Sequence, residues 1–121
     1  MINQKPTVYQ KLEELEKEKK ADQVCEEGSQ NWANDKIVTY MELQNEPSDY
    51  GDDEEYSSAL AIKADAYTKS SSETSKLAIE VVKKMKDLGY ERTLYLDVID
   101  LESKYKHKTM RFEKEQYLEE E

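Results

Sequence analysis

The stretch from Tyr56 to Gly89 constrains the fold more than any other, because two different hydrophobic periods meet in it. From Tyr56 to Tyr67 the period is two: Tyr56, Leu60, Ile62, Ala64 and Ala66 share one parity, while Lys63, Asp65 and Tyr67 take the other. Successive side chains of a strand point to opposite faces, so this pattern predicts a strand with one buried face. A polar break follows, Thr68-Lys-Ser-Ser-Ser-Glu73, in which Ser70 and Glu73 have the spacing of a capping box. Beyond it the period becomes helical. Ala78, Val81, Val82, Met85 and Leu88 form one stripe with Leu77 on its shoulder, and Lys76, Glu80, Lys83, Lys84, Lys86 and Asp87 lie largely opposite. Glu73 suits the positive end of the helix dipole, the lysines suit the negative end, and Gly89 supplies a left-handed stop.

Patterns on either side extend the fold. Pro6-Thr7 predicts a helix start, with Thr7 and Gln10 as a second capping box and Val8, Leu12 and Leu15 as a narrow stripe. Glu13–Lys17 and Glu16–Lys20 have i,i+4 spacing, which describes a helix lying on the domain surface. Gln23-Val-Cys25 reads as a short strand. Asn31-Trp-Ala-Asn-Asp35 reads as a turn whose tryptophan anchors a loop to the core. Lys36 to Leu43 alternates Ile37, Thr39, Met41 and Leu43 against Val38, Tyr40 and Glu42. It leads into a long connection from Gln44 to Glu55 holding six acids and no base, so the flanking strands form a hairpin with an extended tip. Thr93 to Asp100, with Leu94, Leu96 and Val98 on one side and Tyr95 and Asp97 on the other, pairs with Tyr105 to Glu113, whose apolar residues are Met110 and Phe112. The fold class is therefore α+β: a small, mostly antiparallel sheet of two hairpins with two helices packed on one face. Residues 1–121 form one domain, with 1–6 and 116–121 expected to be flexible.

Composition narrows the function. Only 36% of residues are hydrophobic, even with nine tyrosines, and 38% are charged, so the core is thin. Twenty-eight acids against 18 bases give a net charge of −10. That argues against direct binding of nucleic acid or an anionic membrane, both of which need clustered lysine and arginine. A single cysteine, Cys25, permits no internal disulfide and suits a reducing compartment. No signal peptide or membrane span is expected, and the chain reads as cytosolic.

Catalytic and metal chemistry find little support. Asp49-Tyr-Gly-Asp-Asp-Glu-Glu55 is rich in hard oxygen ligands, but its spacing fails the EF-hand template and it reads as a solvated loop. His107 lies alone between two lysines and reads as a strand histidine with an exposed or partner-facing ring. Two acids follow Cys25, nothing near it lowers a thiol pKa, and it reads as a small filler. No enzyme and no cofactor are expected.

The order helix, short strand, hairpin, helix, hairpin, together with particular segments, resembles the tail-completion (tail-to-head joining, tail terminator) proteins of long-tailed bacteriophages and prophages of Gram-positive bacteria. The segments are Asn31 to Asp35, Val38 to Glu46, Asp52 to Ser57 with Ile62 and Asp65, Tyr67 to Ser70, Gly89 to Arg92 and His107 to Phe112. The resemblance spans about Val24 to Phe112. It implies a structural protein that closes the tail tube as a self-associated ring and meets two partners, the tail tube protein and the head connector. It would pass from host cytoplasm during assembly to the virion tail. Asp49, Tyr50, Asp52, Asp53, Glu54, Glu55 and His107 are the residues expected to face partners. The alternative is a small acidic regulatory protein such as a DNA mimic, whose acids should be spread at regular spacing over a folded surface.

Overall fold

A computed structural model of the chain describes residues 3–51, 54–99 and 103–117. Helix α1 (Lys5–Lys17) is followed by strand β1 (Gln23–Glu26), the long strands β2 (Ile37–Gly51) and β3 (Glu54–Thr68), helix α2 (Ser71–Asp87), and strands β4 (Glu91–Val98) and β5 (Lys106–Tyr117). The strands form one sheet in the order β1-β2-β3-β5-β4; β1 runs parallel to β2 and every other pair is antiparallel. Both helices pack on one face, α1 over β1 and β2 and α2 over β3, β5 and β4.

Period-two alternation explains what lies beneath the helices. Leu60, Ile62, Ala64 and Ala66 of β3, Val38 and Tyr40 of β2, and Met110 and Phe112 of β5 meet Val8, Leu12 and Leu15 of α1 and Leu77, Ala78, Val81 and Met85 of α2. The stripe of α2 is rotated from the expected one: Leu77 and Thr74 are buried, whereas Val82 and Leu88 lie at the margin.

The ends of α2 follow their local chemistry. The Glu73 amide donates to Ser70 Oγ at 3.2 Å, giving half of the expected box, while the Ser70 amide donates to Thr68 Oγ1 at 3.3 Å. At the other end Gly89 has φ +91°, the Tyr90 amide reaches Met85 O at 3.1 Å and the Gly89 amide reaches Lys86 O at 2.9 Å. This is a Schellman stop, completed by burial of Tyr90 and Met85 in the same core. Lys114 Nζ donates to Leu88 O at 2.6 Å, placing a cation at the negative end of the helix.

Three expectations are corrected. The Thr7–Gln10 box does not form, because α1 begins earlier, at Lys5, with proline in its first turn and no side-chain cap. Gln4 to Pro6, expected to be loose, are built into the fold. Gln4 is buried and donates to Glu42 Oε2 and Gln44 O, both at 2.9 Å, while accepting from Tyr90 Oη at 2.7 Å. The long connection from Gln44 to Glu55 is largely strand: the β2–β3 ladder continues to Gly51 opposite Glu54, with register shifts between Glu42 and Gln44 and between Pro47 and Tyr50. Pro47 is tolerated there because β1 pairs with β2 only through Tyr40, leaving the far half of β2 an edge strand among the described residues.

Candidate functional site

The face of the sheet opposite the helices is the more unusual one. Register alone places three rows across it: Met41, Lys63, Arg111 and Leu94; then Cys25, Thr39, Asp65, Thr109 and Leu96; then Gln23, Ile37, Tyr67, His107 and Val98. Directly opposed residues on neighbouring strands share a face, so these side chains touch across the ladder. The margins are apolar and exposed: Met41 is 41% accessible, Leu94 42% and Leu96 43%. The centre is polar and buried.

Asp65 is that centre, 1% exposed. Its carboxylate pairs with the Lys63 ammonium two residues earlier on the same strand, and His107 Nε2 lies 3.5 Å from Oδ1. That separation is the long limit of a hydrogen bond, and neither Oδ1 nor Nε2 has another partner among the described residues. Burial pushes the Asp65 carboxyl up; His107, Lys63 and Thr109 outweigh it and hold it below its ordinary value.

An aromatic cluster continues the site past the third row. His107 and Tyr67, a direct cross-strand pair, stack with ring centroids 4.1 Å apart. Trp32 meets Tyr67 edge-on at 5.2 Å and Tyr105 at 5.0 Å. Tyr105 Oη donates to the carbonyls of Trp32 and Asn34. Glu27 accepts from Thr39 Oγ1 on one oxygen and from Tyr67 Oη, at 3.2 Å, on the other. Burial first, then Asp65 and Glu27, push the Tyr67 hydroxyl far up, so it remains a donor. Trp32, Tyr67, Tyr105, His107, Lys69 and Glu27 contribute walls to a cavity of about 660 Å³.

Chain direction explains why a loop covers this end of the face. Parallel pairing of β1 and β2 requires the chain to travel back the length of β1 between Glu27 and Lys36. Asp22 Oδ2 accepts from the amides of Asp35 and Lys36, and Gln23 Oε1 accepts from the Asn31 amide, which pin the returning segment. Trp32 therefore anchors the loop to the open face and stays 50% exposed, instead of entering the core.

The expected partner-facing residues do not converge. Asp49, Tyr50, Glu54 and Glu55 belong to the far ends of β2 and β3, and Asp52 and Asp53 lie outside the described residues. His107 is opposite Tyr67, twelve residues along β3 from Glu55, which is roughly 40 Å at about 3.3 Å per residue. Its ring is stacked on Tyr67 and mostly buried, which sets aside the exposed half of the expectation of an exposed or partner-facing ring. Asp65, Lys63, Tyr67 and Glu27 were not among the expected site residues, although Asp65 and Tyr67 lie in the segments that carry the resemblance. The first three were legible as the polar parity of one strand.

Other titratable groups fit structural roles. Cys25 is partly buried; burial, Glu27 and Glu16 push its thiol up, away from the reactive thiolate. No cluster of three or more histidine, cysteine, aspartate or glutamate side chains that could hold a metal ion occurs among the described residues. No helix among them is long and apolar enough to cross a membrane. No family model matches the chain, and no curated protein sequence matches it.

Proposed function

We propose that this chain is a structural tail-completion protein of a phage or prophage, which closes the tail tube as a ring and joins it to the head connector. It acts by binding, without catalysis or a cofactor, first in the host cytoplasm and then in the virion tail. The observation that carries this reading is the β2–β3 arm. β1 leaves β2 at Tyr40, and β5 pairs with β3 only as far as Ser57 opposite Tyr117. Beyond that point the two strands continue as a ribbon to Gly51 and Glu54 without a neighbouring strand among the described residues. A two-stranded ribbon whose sequence includes Asp49, Tyr50, Glu54 and Glu55 is well placed to touch another molecule.

Charge distribution favours this reading over a DNA mimic. A mimic needs unpaired acids repeated over a folded surface. Here the helical surface neutralises its acids: Lys84 lies 3.0 Å from Glu14 and 2.7 Å from Glu18, and Lys20 lies 3.1 Å from Glu80. On the open face Lys63 pairs with Asp65, and Arg111 lies 3.3 Å from Glu113.

The test is to mix the protein with purified tail tubes and inspect the tube ends by electron microscopy. Ring density at one end is expected. Replacing Asp49, Asp52, Asp53, Glu54 and Glu55 by their amides should weaken that association without lowering the melting temperature. Tubes that remain bare with the parent protein would overturn the family reading, and unchanged association by the amide variant would remove the arm from it.

A further inference from the structure

Strand β4 is bonded along one flank to β5 and, among the described residues, to no strand along the other. Natural sheets blunt such edges with lysine, proline, inward charges or very short strands. β4 has a register shift between Arg92 and Leu94, but beyond it the strand runs regularly to Val98, with Leu94 and Leu96 exposed, Val98 half-buried and Ile99 84% accessible just past its end.

We infer that β4 is a self-pairing strand, through which two copies of this chain join antiparallel about a two-fold axis at Leu96. In that register Leu96 faces its own copy and Leu94 faces Val98, so the open face gains a wholly apolar cross-strand ladder. On the helix side, Asp97 of the second copy stands opposite Tyr95. The Tyr95 ring is flanked by Arg92, with Cζ 4.6 Å from its centroid, and by Lys108, with Nζ at 4.4 Å. Asp97 is 78% exposed and, among the described residues, pairs within its own chain with Lys108, at 3.3 Å, leaving capacity for a second cation. Each copy thus offers a carboxylate to two cations of the other.

Neighbouring registers fail on charge. Centring the axis on Tyr95 brings two Arg92–Tyr95–Lys108 stacks together, and centring it on Asp97 sets that carboxylate against itself. Of these three centres, Leu96 alone avoids opposing like charges. An axis perpendicular to the sheet keeps both open faces on one side, so the two five-stranded sheets become one sheet of ten. The net charge of −10 per chain opposes this approach, so the dimer requires ionic strength near 0.15 M, where the Debye length is about 8 Å.

Sedimentation equilibrium of the isolated chain tests the inference apart from any tail. The expected mass rises with concentration to twice the 14.2 kDa of one chain and no further. Leu96→Lys, which sets two ammonium groups face to face, should hold the protein at the single-chain mass with an unchanged circular dichroism spectrum. Should that variant misfold, a cysteine pair decides. In a Cys25→Ser background treated with oxidised glutathione, Leu96→Cys should form a covalent dimer, and Leu94→Cys, which faces Val98, should not. A parent chain still monomeric at about 1 mM, where an association contributes only about 4 kcal/mol, would overturn the inference. So would a dimer that survives Leu96→Lys in a folded protein, a larger closed assembly, or cross-linking as ready at position 94 as at 96.

Discussion

The two faces of the sheet are stabilised by different means although the same strands build both. Beneath the helices, β3 contributes Leu60, Ile62, Ala64 and Ala66 to a continuous apolar core. On the open face the same strand contributes Lys63, Asp65 and Tyr67, and Asp65 and Tyr67 are nearly as inaccessible. One face excludes water by covering apolar surface with helices. The other does so by gathering Lys63, His107 and Thr109 around a carboxylate, with a returning loop packed on Tyr67 beside it. The contrast teaches that alternation along a strand reports which residues share a face, not which face is buried.

The contrast orders the expected effects of mutation. Val81 is fully buried between α2 and the sheet, and Val81→Asp puts a charge where no partner exists among the described residues. It should cost about 4 kcal/mol or more, read as loss of a cooperative thermal transition. A stable, parent-like melt would mean that the helical face is not the core. Trp32→Ala removes the contacts that close the open face against Tyr67 and Tyr105; a loss of about 2 kcal/mol in urea melts is expected, and none if the loop is merely lying there. Gly89→Ala should cost about 1 kcal/mol, because a Cβ there would meet Lys114 Cε at an ordinary 3.4 Å while φ +91° would remain unfavourable. Met41→Thr, at the exposed margin of the open face, should stay within about 0.5 kcal/mol of the parent. A larger loss would show that this margin is covered.

Much of this architecture was legible in the sequence, for reasons particular residues make plain. Two periods and a glycine stop delimited β3 and α2, and Met110 and Phe112 marked the inward parity of β5. Which parity of β4 faces the helices was not legible: Leu94, Leu96 and Val98 are its apolar parity yet point away from them, while Tyr95 packs toward them. β4 pairs with β5 so that Leu94 meets Arg111 and Tyr95 meets Met110, a register set by the partner strand and by a shift between Arg92 and Leu94. Nothing within β4 encodes it. The length of the β2–β3 arm was hidden likewise, since Asn45, Pro47 and the run of acids read as a loop. Asp65 and His107 are 42 positions apart in the sequence, and only the β3–β5 register brings them together. The extent of the site was therefore a tertiary fact, although each of its side chains was visible.

A buried carboxylate organises the open face, and the pH dependence of the stability of Asp65→Asn reports on that role. Because the folded protein holds the Asp65 carboxyl below its ordinary value, its ionised form stabilises the fold above the unfolded value of about 3.9. That contribution is lost as pH falls through the folded value. Asp65→Asn should therefore melt in urea at lower concentration than the parent at pH 7. The expected difference is about 2 kcal/mol, discounted from that of a fully buried pair because Lys63 remains 32% exposed. The difference should narrow steadily in acid, below pH 4. Equal stability at pH 7, or a difference that widens toward acid, would show that the Asp65 carboxylate does not hold the open face together.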